Sequence, residues 1–136
     1  MSFLIDTNVV SELRKGRRAN AKVRDWFDAV DDDAVYLSVL VIGELRQGVE
    51  GLRRRDPTAA AHLDRWLHEL IQRHTARVLP IDAAVAERWG RLNMPDRVPA
   101  VDGLLAATAL VHSMTLVTRN VRDVQRTGVR HVDPFA

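Results

Sequence analysis

The sequence FLIDTN, at residues 3–8, decides the fold of this 136-residue chain. Its apolar tripeptide stops at Asp6, Thr7 and Asn8, three residues that favour helix caps, which is typical of a buried strand leading directly into a helix. The same change from strand to helix recurs at residues 35–37, where Ser38 can cap the next helix. Strands that alternate with helices in this way predict an α/β domain.

Five short apolar runs alternate with helical patterns along the chain. The predicted strands are residues 3–5, 35–37, 78–81, 114–117 and 129–132. The predicted helices are residues 9–15, 21–30, 39–52, 57–74, 83–92 and 100–113, with a turn and short helix within 118–128. Asn20 can cap the second helix and Asp82 the fifth. No run alternates apolar and polar residues, which indicates strands buried on both faces of a mainly parallel sheet. We therefore expect residues 1–136 to form one domain, a three-layer α/β/α sandwich with roughly five strands.

Composition limits the kinds of site that the chain can hold. Cysteine is absent, so disulfides and thiolate metal sites are excluded. The five histidines show no zinc spacing, which leaves carboxylate oxygens as the main candidate ligands. The first residues lack the pattern of a signal peptide, and the uncharged stretch 103–118 is shorter than the roughly 20 apolar residues of a membrane helix. We expect a cytoplasmic protein that does not span a membrane.

The basic residues are nearly all arginines, although the net charge is only +2. Arginine suits phosphate recognition because its guanidinium is planar, forked and always charged. Two clusters, at residues 14–18 and 53–55, could line a nucleic-acid path or simply be solvated helix ends, and we favour the second interpretation. Together with Arg46, which is close to Glu44 in the sequence, they are the candidates for contact with nucleic acid.

Acids follow the predicted strands at the positions where open parallel sheets bind ligands, beyond the carboxyl ends of the strands. Asp6 comes directly after the first strand, and the turn after the fourth strand carries Asp123. The alternative role for Asp6 is to cap the following helix, but Thr7 and Asn8 could cap it equally well.

Two further acids lie on predicted helices near apolar surface. Glu44 lies at the edge of the apolar face of the predicted helix 39–52, on the side that carries Gly48 and Gly51. Each glycine costs a helix about 1 kcal/mol relative to alanine, which suggests close packing or close approach of a ligand there. The alternative is a glutamate that extends to water. Asp102 begins a helix that is apolar almost all round, which suggests that the acid is buried. The alternative role for Asp102 is structural, since the helix dipole favours a carboxylate in the first turn.

Asp6, Glu44, Asp102 and Asp123 together suggest a site for a hard cation. Burial beside other carboxylates would raise their pKa values unless a cation shared the site. Magnesium takes a few carboxylate oxygens, keeps several waters and leaves room for substrate phosphates. It can also acidify a water and offset charge on a phosphate. The four acids by themselves thus predict a metal site, and they leave the substrate open.

Four segments together resemble the PIN-domain family and, more narrowly, the VapC type of toxin from bacterial toxin-antitoxin modules. The segments are LIDTNVVSEL (4–13), IGELRQG (42–48), VDGLLAATAL (101–110) and TRNVRD (118–123). The resemblance covers nearly the whole chain, in family order and spacing. It implies a cytoplasmic endoribonuclease that uses Mg²⁺ or Mn²⁺, is inhibited by a cognate antitoxin and forms a homodimer.

The resemblance also assigns roles to residues. The family's motif acids correspond to Asp6, Glu44 and Asp102, and the fourth corresponds either to Asn120 or to Asp123, which we favour. Polar support is expected from Thr7, Asn8, Thr118 and Asn120. We hypothesise that Asp6 and Asp102 bind the principal metal, that Glu44 and Asp123 complete the cluster directly or through water, and that a metal-activated water attacks RNA.

Two other families place an acid after the first strand. Phosphatases of the haloacid-dehalogenase type carry a second aspartate two residues on, where this chain has Asn8. Receiver domains need paired acids near the start and a lysine near the last strand, and both are missing. The remaining alternative is a PIN-fold module that binds RNA or a partner with little or no nuclease activity.

Overall fold

A computed structural model describes all 136 residues and contains one five-stranded sheet. Its strands are β1 (Phe3–Ile5), β2 (Val35–Ser38), β3 (Val78–Leu79), β4 (Thr115–Val117) and β5 (His131–Val132). They lie in the order β3-β2-β1-β4-β5, and every neighbouring pair is parallel. The predicted parallel sheet is confirmed. β3 is shorter than predicted because Pro80 has no N–H to continue the ladder.

Seven helices connect the strands. They are α1 (Thr7–Leu13), α2 (Ala21–Asp28), α3 (Val39–Arg53), α4 (Pro57–Arg73), α5 (Ala83–Leu92), α6 (Ala100–Val111) and α7 (Val121–Val124). The predicted caps at Asn20, Ser38 and Asp82 are confirmed, since each side chain accepts an N–H of the first turn. The predicted start of the first helix was wrong by two residues, because the Asp6 carboxylate itself caps α1. None of the helices combines the length and apolar character that a membrane crossing needs.

The strand order places the helices in two layers. The chain runs outward from β1 to β2 and β3, returns to β4 beside β1, and continues outward to β5. Because parallel crossovers are right-handed, α1 to α4 cover one face and α5 to α7 the other. The packing agrees: α1 contacts α2 and α3, α3 contacts α4, and α6 contacts α5 and α7. The three-layer sandwich is confirmed.

The centre of the sheet is buried on both faces. Leu4 and Ile5 in β1, like Leu116 and Val117 in β4, are adjacent residues that point to opposite faces, and all four are buried. Above them, α6 is buried along most of its length, as its apolar composition predicted. The carboxyl ends of β1 and β4 are therefore anchored in fully buried residues.

Candidate active site

The candidate residues gather where the strand order reverses, at the carboxyl ends of β1 and β4. The Asp6 N–H donates to the Val117 carbonyl at 2.9 Å, which continues the pairing past the end of β1. Such a switch point leaves a crevice beyond the strands. The crevice here is a cleft of about 340 Å³ lined by Asp6, Thr7, Asn8, Glu44, Val101, Asp102 and Asn120.

Asp6 is held rigidly at the floor of this cleft, with only 4% of its surface exposed. Its Oδ1 accepts the Thr7 N–H at 2.7 Å, and its Oδ2 accepts the Thr118 hydroxyl at 2.6 Å and the Asn8 amide at 3.4 Å. Burial raises the pKa of Asp6, the bonds from Thr118 and Thr7 oppose this rise, and the charge of Glu44 adds to it. Asp6 thus both caps α1 and presents a carboxylate that is costly to ionise.

Glu44 reaches the cleft from α3, where it is half-buried. The Thr7 hydroxyl donates to its Oε1 at 2.5 Å, so Thr7 links Asp6 and Glu44 through its N–H and its side chain. The close packing suggested for Gly48 and Gly51 was wrong: a Cβ added at either glycine would meet no atom within 4 Å. Those positions face open space instead.

Asp102 lies in the first turn of α6 and accepts the Asn120 side-chain amide at 3.4 Å. Its pKa is raised to about 6 chiefly by burial; the Asn120 bond lowers it, and the charges of Asp6 and Asp123 raise it further. Asp123, exposed on α7, lies close enough to Asp102 for its charge to raise that pKa. Both candidates for the fourth position therefore lie beside Asp102, with Asn120 lining the cleft.

No cationic side chain neutralises these acids. The ion pairs of the structure involve none of Asp6, Glu44, Asp102 and Asp123. The donor set therefore suits a hard cation in charge and chemistry. No three acidic or histidine side chains converge on a common ion position. The arrangement suits Mg²⁺, which takes one or two protein carboxylates directly and completes its shell with water.

Arg46, a predicted RNA contact, does not line the cleft. Its guanidinium pairs with Asp64 at 2.9 Å and with Glu50 at 3.3 Å, in a network that also holds Arg53 between α3 and α4. Asp64 comes from the next helix, and no local sequence signal showed that it would occupy Arg46.

Comparison with known proteins places this geometry in a family. The model of the PIN domain matches residues 3–129. The toxin FitB of Neisseria gonorrhoeae is 34% identical over 138 residues, which cover 98% of each chain. The VapC ribonuclease Y4jK of Sinorhizobium fredii is 29% identical over 141 residues, or 98% of this chain and 97% of that protein.

A solved structure of FitAB bound to an IR36 DNA fragment matches with a TM-score of 0.89 and 30% identity, over 98% of this chain and 96% of that chain. The family match to residues 3–129 includes every residue of the site described above, and the structural match covers 98% of the chain. The chain belongs to the PIN-domain family, in the group that includes FitB and VapC proteins.

Proposed function

We propose that the chain is a metal-dependent endoribonuclease that acts as the toxin of a toxin-antitoxin pair. The observation that carries this proposal is the set of three acids that line the switch-point cleft without a cationic partner, Asp6, Glu44 and Asp102, with Asp123 beside Asp102. The names of the relatives support the choice of substrate and role, since FitB is a toxin and Y4jK a VapC ribonuclease.

Asp6 and Asp102 would hold the principal Mg²⁺, for which Mn²⁺ could substitute, and Glu44 and Asp123 would complete the set directly or through water. Burial and the charges of neighbouring acids, Glu44 for Asp6 and Asp6 and Asp123 for Asp102, disfavour the charged forms of both residues, so a cation between them would stabilise both. When bound, the ion supplies Lewis acidity that offsets phosphate charge and lowers the pKa of a water.

The neighbouring polar residues orient the acids. Thr118 and the Thr7 N–H fix both oxygens of Asp6, and Asn120 holds one oxygen of Asp102. Thr7 bonds only Oε1 of Glu44, so Oε2 stays available to accept a proton from the attacking water. Correct orientation before the reaction is the main contribution that a protein makes to phosphodiester cleavage of this kind.

The biological setting follows from the same family resemblance. A cognate antitoxin would inhibit the enzyme in the cytoplasm, where its RNA substrates are, and the active form would be a homodimer. The solved FitAB complex supports a stable protein partner for this fold.

Cleavage of structured RNA by the purified chain tests the proposal. We expect activity with Mg²⁺ or Mn²⁺, none with a chelator, and a loss of about 100-fold or more in Asp6→Asn. Asp25→Asn is the matched control, since Asp25 is an exposed acid of α2 outside the cleft. Undiminished metal-dependent cleavage by folded Asp6→Asn would contradict the assignment, and RNA binding without cleavage by the wild type would favour the binding-module alternative.

A further inference from the structure

A second groove adjoins the acidic cleft, and nothing in the proposed chemistry uses it. It has a volume of about 320 Å³ and lies between α1, α3 and α4. The groove and the cleft share Thr7 and Glu44 in their walls. A molecule held at the acids could therefore continue into the groove without leaving the surface.

The groove carries two arginines that no acid of the protein occupies. Arg14 follows the last turn of α1 and Arg55 lies in the connection between α3 and α4; both line the groove, and neither forms an ion pair or a side-chain hydrogen bond. Arg46 and Arg53, by contrast, are paired with Asp64 and Glu50. Glu44, at the end shared with the cleft, is the only acid in the groove wall.

The spacing suits an extended polyanion. Thr7 and Arg14 are seven residues apart in α1 and its cap, which places them about 10 Å apart along the helix axis. Trp66 contributes an indole to the groove wall from α4, and aromatic walls with flanking arginines are the usual way to hold single-stranded nucleic acid by stacking and phosphate contact.

Gly48 keeps the groove open. It lines the groove from the middle of α3, and a Cβ added there would meet no atom within 4 Å. A glycine inside a helix weakens that helix. No neighbouring atom requires a glycine at position 48, so the space that the missing side chain leaves open is part of the groove.

We propose that this groove binds the single-stranded RNA that flanks the scissile phosphate, with Arg14 and Arg55 on backbone phosphates and Trp66 against a base. The inference rests on the proposed ribonuclease function and adds the path of the substrate away from the acids. Charge favours RNA over a protein segment, because both unpaired groups in the groove are phosphate-binding guanidiniums.

Binding of a fluorescent single-stranded RNA oligonucleotide, in an Asp6→Asn background that prevents cleavage, tests the groove directly. Arg14→Gln with Arg55→Gln should weaken Kd about 100-fold, or about tenfold for each lost contact. The slope of log Kd against log salt concentration should fall by about 1.4. The matched control is Arg17→Gln with Arg54→Gln, which removes the same charge from the same arginine clusters outside the groove and should change Kd little.

Kinetics of the otherwise unaltered enzyme give a second readout. Gly48→Leu should fill the groove and raise KM for RNA about tenfold while kcat is retained, and the protein should stay at least as stable because leucine favours a helix. Gly51→Leu is its control: that glycine also faces open space but does not line the groove.

The outcomes separate the two proposals. A wild-type chain that binds RNA through Arg14 and Arg55 but never cleaves it would refute the ribonuclease and leave the groove assignment standing. The groove assignment would be overturned if Arg14→Gln with Arg55→Gln gave the same Kd and salt slope as the control Arg17→Gln with Arg54→Gln, or if the protein bound no RNA even at low salt. It would also be overturned if Arg14→Gln with Arg55→Gln left RNA binding unchanged but weakened the complex with the antitoxin, since the groove would then bind a protein segment.

Discussion

Replacing Asp102 with asparagine should stabilise the metal-free protein at neutral and alkaline pH while it abolishes activity. Burial, helped by the charges of Asp6 and Asp123, raises the pKa of Asp102 from its ordinary value of 3.8 to about 6. The folded state therefore disfavours the charged carboxylate. Asparagine keeps an oxygen for the Asn120 amide but carries no charge.

The size and pH range of the effect follow from this pKa. The difference between 3.8 and about 6 corresponds to about 3 kcal/mol at most, at about 1.36 kcal/mol for each tenfold change in proton affinity. Asp102 is half-exposed, and solvent screening reduces the cost to about 1–1.5 kcal/mol. Because the folded pKa lies above the unfolded one, the carboxyl costs nothing below about pH 4, and the cost grows up to about pH 6 and then stays constant.

Thermal unfolding in the presence of a chelator measures this effect. We expect Asp102→Asn to raise Tm by about 3–5 °C at pH 8 and to have little effect at pH 4. Asp25→Asn serves as the control, because Asp25 is exposed and makes no side-chain hydrogen bond or ion pair, and it should change Tm little at either pH. A Tm difference for Asp102→Asn that does not depend on pH, or a lower Tm at pH 8, would refute the reasoning.

Three further predictions concern the site and its support. Thr118→Val removes the hydroxyl that lowers the pKa of Asp6, so the acid limb of the pH-rate profile should move to higher pH; an unmoved limb would mean that Asp6 does not control it. Mg²⁺ at 100 times its Kd should stabilise the wild type by about 2.7 kcal/mol in thermal unfolding, and an equal gain in Asp6→Asn would place the ion elsewhere. Leu105→Ala, at a side chain of α6 with 0% exposure, should cost about 2–5 kcal/mol in urea unfolding, and a cost below about 1 kcal/mol would contradict a central α6.

Local signals allowed much of the fold to be predicted. The caps at Asn20, Ser38 and Asp82 bond to N–H groups two or three residues away, so their sequence context contains both partners. The strand order has no such local origin. β1 pairs with β4 through residues more than 100 positions apart, and the switch point between them became visible only in the structure.

In the candidate site, too, some features have local sequence signals and others depend on residues far apart in the chain. The position of Asp6 at a strand end and the apolar surroundings of Asp102 could be inferred from the sequence, and the structure brings both to one cleft. The bond from Thr7 to Glu44 spans 37 residues and left no trace in the sequence. Arg46 was chosen for its place near Glu44, but Asp64 on the neighbouring helix decides where its guanidinium lies.

Anomalous diffraction from crystals grown with Mn²⁺ tests most directly whether the acid cleft is a metal site. We predict a manganese peak in the cleft, within bonding distance of carboxylate oxygens of Asp6 and Asp102, and no peak there in crystals of Asp6→Asn. A map without manganese in the cleft, or with the same peak in Asp6→Asn, would contradict the assignment.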